Sequence, residues 1–118
     1  MNFAYNYMLS NKGIEMAKTY PYQENDTFQC RYNANNSVGA PTTYVFVNSG
    51  NETLLQNVIA EIGPVAVGID ASRESIFTYT KGVYYEPTCS NVSINHAVLV
   101  VGYGTEPDGQ DYWLIKNR

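Results

Sequence analysis

His96 is the single histidine of this chain, and Asn117 stands at the end of a later apolar run, Tyr112-Trp113-Leu114-Ile115-Lys116-Asn117. The two residue types make chemical sense together. A carboxamide oxygen can accept a proton from one imidazole nitrogen, which fixes the ring and its tautomer and leaves the other nitrogen to exchange a proton with a nucleophile. The same two groups could also form an ordinary polar pair at a strand end, so pairing alone leaves the role open. Two cysteines, Cys30 and Cys89, complete the reactive inventory. They show no CxxC spacing, and with one histidine they fall short of the roughly four soft ligands of a zinc site, so neither a metal nor another cofactor is expected.

Which elements would bring His96 and Asn117 together? Ala97 to Gly102 is a nearly continuous apolar run rich in β-branched residues, and Tyr112 to Lys116 is a second strand candidate. Between them Gly104-Thr105-Glu106-Pro107-Asp108-Gly109-Gln110 is turn chemistry, so the spacing predicts a hairpin with its loop centred near Pro107. Folding the chain back about that point brings His96 within about one residue of the position facing Asn117.

Upstream, Leu55, Val58, Ile59 and Ile62 recur at i, i+3, i+4 and i+7 and predict a helix with one apolar stripe, entered near Asn51 and stopped by Gly63-Pro64. A strand follows at 65–70. Val65, Val67 and Ile69 form a bulky face, whereas the opposite face begins with Ala66 and Gly68 and could admit either a neighbouring strand or a ligand. A short helix is expected over 3–11, with Phe3, Ala4, Tyr7 and Met8 on one face and Gly13 as its stop. Residues 14–44 read as irregular chain with turns, and 44–47 as a strand.

Composition narrows the function classes. The 118 residues are 44% hydrophobic and 15% charged with a formal net charge of −4, which describes a globular chain. Dispersed basic residues on an acidic background argue against nucleic acid or an anionic membrane as partner. No apolar run reaches the ~18 residues that span a bilayer. The start shows no basic region followed by a long apolar stretch, so either the protein stays in the cytosol or Met1 is an internal methionine of a longer chain. Sequons beginning at Asn25, Asn35, Asn51 and Asn91 favour the second option and a secretory route.

Read as words, Asn95-His96-Ala97-Val98-Leu99-Val100-Val101-Gly102-Tyr103-Gly104 resembles the block around the catalytic histidine of papain-like cysteine proteases. Tyr112-Trp113-Leu114-Ile115-Lys116-Asn117 resembles the block ending in their catalytic asparagine. Tyr20-Pro21-Tyr22, Cys30 followed by Tyr32, Gly63-Pro64-Val65, Ile69-Asp70-Ala71, Gly82-Val83-Tyr84 and Pro87-Thr88-Cys89-Ser90 occur in the order of the cathepsin L type. The resemblance implies an α+β, papain-like fold in partial form. Residues 1–44 would be the end of the helical domain and 45–118 most of the β-barrel-like domain. It further implies a thiolate that attacks a peptide carbonyl, with His96 as acid/base partner and Asn117 as its orienter. By matched position, Gly68, Ile94 and Ala97 would help form the apolar pocket for the substrate residue two before the cut. Expected partners are protein or peptide substrates, with prosegments or cystatin-like inhibitors in addition, and the expected location is lysosomal or secreted.

Several departures follow from the same resemblance. The family nucleophile precedes the histidine by about 130–150 residues and would fall before Met1. Cys30 and Cys89 match structural disulfide positions whose partners would lie outside this chain, though a bond between the two is an alternative. Ala97 stands where a glycine is common, and the Ser-Trp-Gly that usually follows the asparagine is not here. The chain is therefore expected to be inactive alone and marginally folded, with exposed apolar surface that binds a hydrophobic dye. A non-catalytic homologue that binds prosegments or inhibitors is the alternative function. An unrelated tyrosine-rich glycan-binding module is a third reading, given eleven tyrosines.

Overall fold

The computed structural model describes residues 1–27 and 29–118, in two compact units, Met1–Phe46 and Val47–Arg118. Helices beside antiparallel sheets make the chain α+β, as expected.

In the first unit, helix α1 covers Asn2–Ser10. It ends where Lys12 turns left-handed (φ 56°) and the Gly13 N–H reaches back to the Met8 carbonyl at 2.7 Å. Its predicted apolar face does not pack as expected. Phe3 is 89% exposed, and the half-buried positions are Tyr5, Met8 and Leu9. Tyr5 stacks on Tyr44, whose hydroxyl donates to Asn6 Oδ1 at 3.0 Å. Strands β1 (Ile14–Glu15) and β2 (Ser37–Val38) form a two-residue antiparallel ladder that sequence periodicity is too short to reveal. Gly13 is required beside it, because a Cβ there would sit 2.5 Å from Ser37 Oγ and 2.7 Å from the Val38 carbonyl.

The strand expected at 44–47 is not formed. Val45 and Phe46 are 82% and 70% exposed. Among the described residues no strand pairs with this segment, and an unpaired extended segment gains no ladder hydrogen bonds.

The second unit holds the larger sheet. Helix α2 (Glu52–Glu61) starts at Asn51, whose Oδ1 accepts the Leu54 N–H at 2.9 Å, a cap worth about 1 kcal/mol. It stops at Gly63 (φ 133°), whose N–H joins that of Ile62 on the Val58 carbonyl. Of the predicted stripe, Ile59 is buried and Leu55 and Val58 are half-buried, but Ile62 is 81% exposed because it lies beyond the last helical turn.

Strands β3 (Val65–Ile69), β4 (His96–Thr105) and β5 (Asp111–Lys116) form an antiparallel sheet with β4 in the middle. Its ladder pairs Val65 with Val100, Gly68 with Ala97 and Ile69 with His96. Val98 and Val100, 6% and 2% exposed, form the core with Ile59. The loop between β4 and β5 is closed by Glu106 N–H to Gln110 O at 2.8 Å and Gly109 N–H to Glu106 O at 2.9 Å, with Gly109 at φ 91°.

This core is small for the chain. Two separate compact bodies of these sizes would expose about 7,700 Å² in total by the usual scaling of surface with mass. The accessible surface is 9503 Å². Large apolar side chains account for part of the excess, among them Val92, Tyr85, Leu114 and Ile94 in the second unit.

Candidate active site

His96 opens β4, and the Ile69–His96 pairing anchors it against the end of β3. The adjoining residue tightens that anchor. The Asn95 N–H donates to the Ile69 carbonyl at 3.1 Å, and Asn95 Oδ1 accepts the Ala71 N–H at 2.8 Å. Thus Asn95 ties the exit of β3 to the entry of β4.

Asn117 follows β5. The ladder pairs Thr105 with Asp111 and Gly102 with Leu114, shifts by one residue between Val100 and Gly102, and then pairs Val100 with Ile115 and Leu99 with Lys116. Val101 is the extra residue of this β-bulge. Continued by one step, the register sets Val98 opposite Asn117, so His96 is its diagonal neighbour rather than within one residue of facing it. Such diagonals, about 7–8 Å apart at the backbone, are within reach of long side chains.

The side chains do meet. His96 Nε2 lies 2.7 Å from Asn117 Oδ1. The backbone N–H of Arg118 donates to the same oxygen at 2.8 Å. An amide N–H can only donate, so this second bond identifies the carboxamide atom as the acceptor. The hydrogen of a neutral His96 ring therefore sits on Nε2, and Nδ1 keeps its lone pair. Nδ1 has no hydrogen-bond partner among the described residues. The ring is half-buried and Asn117 is exposed.

A cleft of about 500 Å³ opens here, lined by Ala71, Ile76, Phe77, Asn95, His96, Asn117 and Arg118. Ile76 and Phe77 belong to α3 (Glu74–Phe77), a single turn that sequence periodicity cannot detect. A web of bonds to Glu86 holds that turn. Ser75 Oγ donates to Glu86 Oε2 at 2.8 Å, and the Thr88 hydroxyl and N–H donate to Oε1 at 2.6 and 3.1 Å. The Thr88 hydroxyl, followed by that of Ser75, keeps the Glu86 carboxyl below its ordinary pKa. Arg73 Nη2 completes the web at the Thr88 carbonyl, 2.9 Å away.

Asp70 does similar work one residue past β3. It is 7% exposed, and its two oxygens accept the N–H groups of Ser72 and Ser90, each at 2.9 Å. Bonds from the Ser72 side chain, the Ser90 N–H and the Ser72 N–H hold its pKa down at about 2.

The residues matched to a substrate pocket lie beside this cleft and are not part of its lining. Gly68 is paired with Ala97, and a Cβ on Gly68 would fall 2.5 Å from Ile94 Cγ2. The small residue is what lets Ile94 cover the strand, while Ile94 itself is 49% exposed. Both cysteines are free and exposed. Cys89 does not line the cleft; its sulfur lies 4.0 Å from the Asp70 carbonyl and 3.8 Å from that of Ser90. Among the described residues no cluster of three or more His, Cys, Asp or Glu side chains could hold a metal ion, and no helix is long and apolar enough to cross a membrane.

Residues 1–118 match the papain family of cysteine proteases. The chain belongs to that family. A cathepsin L-like peptidase of Aedes aegypti is 46% identical over 118 residues, covering 99% of this chain and 34% of that relative. Cathepsin J of Mus musculus is 50% identical over 117 residues, covering 97% and 34%. The structure of digestive procathepsin L2 from the larval midgut of Tenebrio molitor superposes with a TM-score of 0.91 at 44% identity, over 99% of this chain and 36% of that one. This papain-family chain thus spans about a third of the length of the relatives it matches. The three-stranded sheet and α2 therefore belong to a papain-like, cathepsin L-type fold in partial form.

Proposed function

We propose that this chain carries the acid/base half of a cathepsin L-type cysteine endopeptidase, with His96 as the proton-transferring residue and Asn117 as its orienter. The bond from His96 Nε2 to Asn117 Oδ1, fixed in sense by Arg118, is the observation that supports it. With Nε2 engaged, Nδ1 is the nitrogen available to a thiol. Taking its proton makes a thiolate–imidazolium pair, in which the positive ring favours the charged sulfur. The thiolate attacks a peptide carbonyl, and Nδ1 returns the proton to the departing amine as the C–N bond breaks. A water then gives its proton to Nδ1 and displaces the thiolate from the acyl group, releasing the acid.

The nucleophile is not one of the two cysteines of these 118 residues. Cys89 is turned to the Asp70 and Ser90 carbonyls and is outside the cleft lining, and Cys30 stands where the family resemblance puts a structural disulfide cysteine. The chain alone is inactive on this reading, and a nucleophile-bearing segment of the helical domain completes the site. Residues 1–44 form the end of that domain and 45–118 most of the β-barrel-like one. Gly68, Ile94 and Ala97 contribute to the pocket for an apolar residue two before the cut. Protein or peptide substrates, a prosegment and cystatin-like inhibitors are the partners, and the setting is lysosomal or secreted.

The test is labelling with an epoxide directed at papain-type thiols, on the 118-residue chain and on a chain extended upstream by the helical segment. No specific label is expected on the former, and one label that disappears in His96→Ala on the latter. Specific, His96-dependent labelling of Cys30 or Cys89 in the 118-residue chain would overturn the reading.

A further inference from the structure

Four Asn-x-Ser/Thr sequences are present, and the structure treats them differently. Transfer of an N-linked oligosaccharide makes three demands on the acceptor. The carboxamide nitrogen must be free. The hydroxyl two residues on must be available to that carboxamide or to the transferase. The segment must also lie open on the surface, outside regular structure.

Asn25 meets all three. It lies in an irregular stretch in which every described residue from Thr19 to Arg31 is exposed. Its Oδ1 accepts both the N–H and the hydroxyl of Thr27, at 2.8 and 2.7 Å. Both lone pairs of the oxygen are thereby used, while the nitrogen has no partner among the described residues. The turn brings the required hydroxyl onto the required carboxamide.

Asn91 meets them in another way. Residues 91–95 are all exposed, and the local turn is held by Ser90, whose Oγ accepts the Val92 and Ser93 N–H groups at 3.2 and 2.9 Å. Neither the Asn91 carboxamide nor the Ser93 hydroxyl takes part in a bond among the described residues. Val92, between them, is 82% exposed.

The other two sequences are built into local structure. Asn35 sits inside the 3₁₀ turn Ala34–Asn36, and the hydroxyl of Ser37 is spent on the Lys12 carbonyl at 3.1 Å, against Gly13. Asn51 spends its Oδ1 on capping α2, and Thr53 lies in the first turn of that helix.

The geometry points to Asn25 and Asn91 as the two N-linked glycan acceptors of this chain, with Asn35 and Asn51 left bare. In the transfer, the Asn Nδ2 loses a proton and forms a bond to the anomeric carbon of a lipid-diphosphate-linked oligosaccharide. The bond from that carbon to the diphosphate oxygen breaks, the lipid diphosphate departs with the bonding pair, and the proton passes to a base of the transferase.

The experiment expresses the 118-residue chain behind a secretion signal in eukaryotic cells. Occupancy is mapped by peptide mass spectrometry after release of the glycans by an amidase in ¹⁸O water, which leaves an ¹⁸O-labelled aspartate at each former acceptor. Label at positions 25 and 91, with two mass increments that fall to one in Asn25→Gln and to none in Asn25→Gln/Asn91→Gln, is the expected result. No label at either position, or equal label at all four, overturns the inference. Because the readout is mass rather than activity, it stands apart from the outcome of the epoxide experiment.

Discussion

Replacing Asn117 with alanine isolates the interaction on which the proposed chemistry rests. The substitution removes the oxygen that lies 2.7 Å from His96 Nε2 and leaves the Arg118 N–H to bond to water, since this end of the chain is exposed. A hydrogen bond between neutral groups contributes about 0.5–1.5 kcal/mol net. Lost from one tautomer only, that energy shifts the ratio of Nε2–H to Nδ1–H forms of the neutral ring by about 2- to 13-fold. The assay is long-range ¹H–¹⁵N NMR of the ring nitrogens at about pH 8, where an ordinary imidazole is neutral. In the unsubstituted chain the Nε2–H form is expected to dominate, with that proton protected from exchange. In Asn117→Ala the ratio should fall toward that of a free imidazole and the protection should vanish. Asn117→Asp, which keeps an acceptor at the same place, should hold the Nε2–H form. Equal ratios in all three proteins would refute the reasoning, because the carboxamide would then have no grip on the ring.

Other expectations follow from the packing and the buried carboxylate. Val100→Ala should destabilise the second unit by about 2–3 kcal/mol, the sum of two lost methyls and a partly unfilled hole at a site only 2% exposed, read from the urea midpoint. Gly68→Ala should cost about 1–3 kcal/mol, toward the lower end because Ile94 is half exposed and can rotate away, and it should move the Ile94 methyl resonances. Asp70, with a folded pKa held down at about 2 by Ser72 and Ser90, stabilises the fold fully above the ordinary carboxylate range. That contribution drains away as the pH falls from about 4 toward 2. An acid titration followed by circular dichroism should lose this part of its steepness in Asp70→Asn.

Much of the second unit was legible from local chemistry. The α2 stripe, its entry near Asn51 and its Gly63 stop are all short-range signals, and each holds in the fold except at Ile62, which lies past the last turn. The hairpin was legible because its loop residues are turn formers between two apolar runs. Its register was less so, since a bulge is a tertiary accommodation with no mark in the sequence. Three features of the first unit escaped for related reasons. The apolar face of α1 has the right period but leaves Phe3 exposed, the 44–47 segment has strand composition but no partner, and the β1–β2 ladder is too short to show a period. At the site, the meeting of His96 with Asn117 could be anticipated from the hairpin. The cleft wall could not be, because Ile76 and Phe77 come from one helical turn held through Ser75 by a glutamate eleven residues farther on, and no periodic pattern announces that.

The extra residue at Val101 has a consequence for which side of the sheet each group occupies. Opposed residues in a ladder project from the same surface, and neighbours along a strand alternate. Had the two arms run flush from Gly102 and Leu114 onward, Asn117 would have stood across from Leu99 and pointed away from the imidazole. One surplus residue on the histidine arm converts that mismatch into agreement and puts the carboxamide over the same surface as Val98 and His96. What the pair depends on is the odd difference between the lengths of the two arms. The tip near Pro107 can grow or shrink without disturbing it.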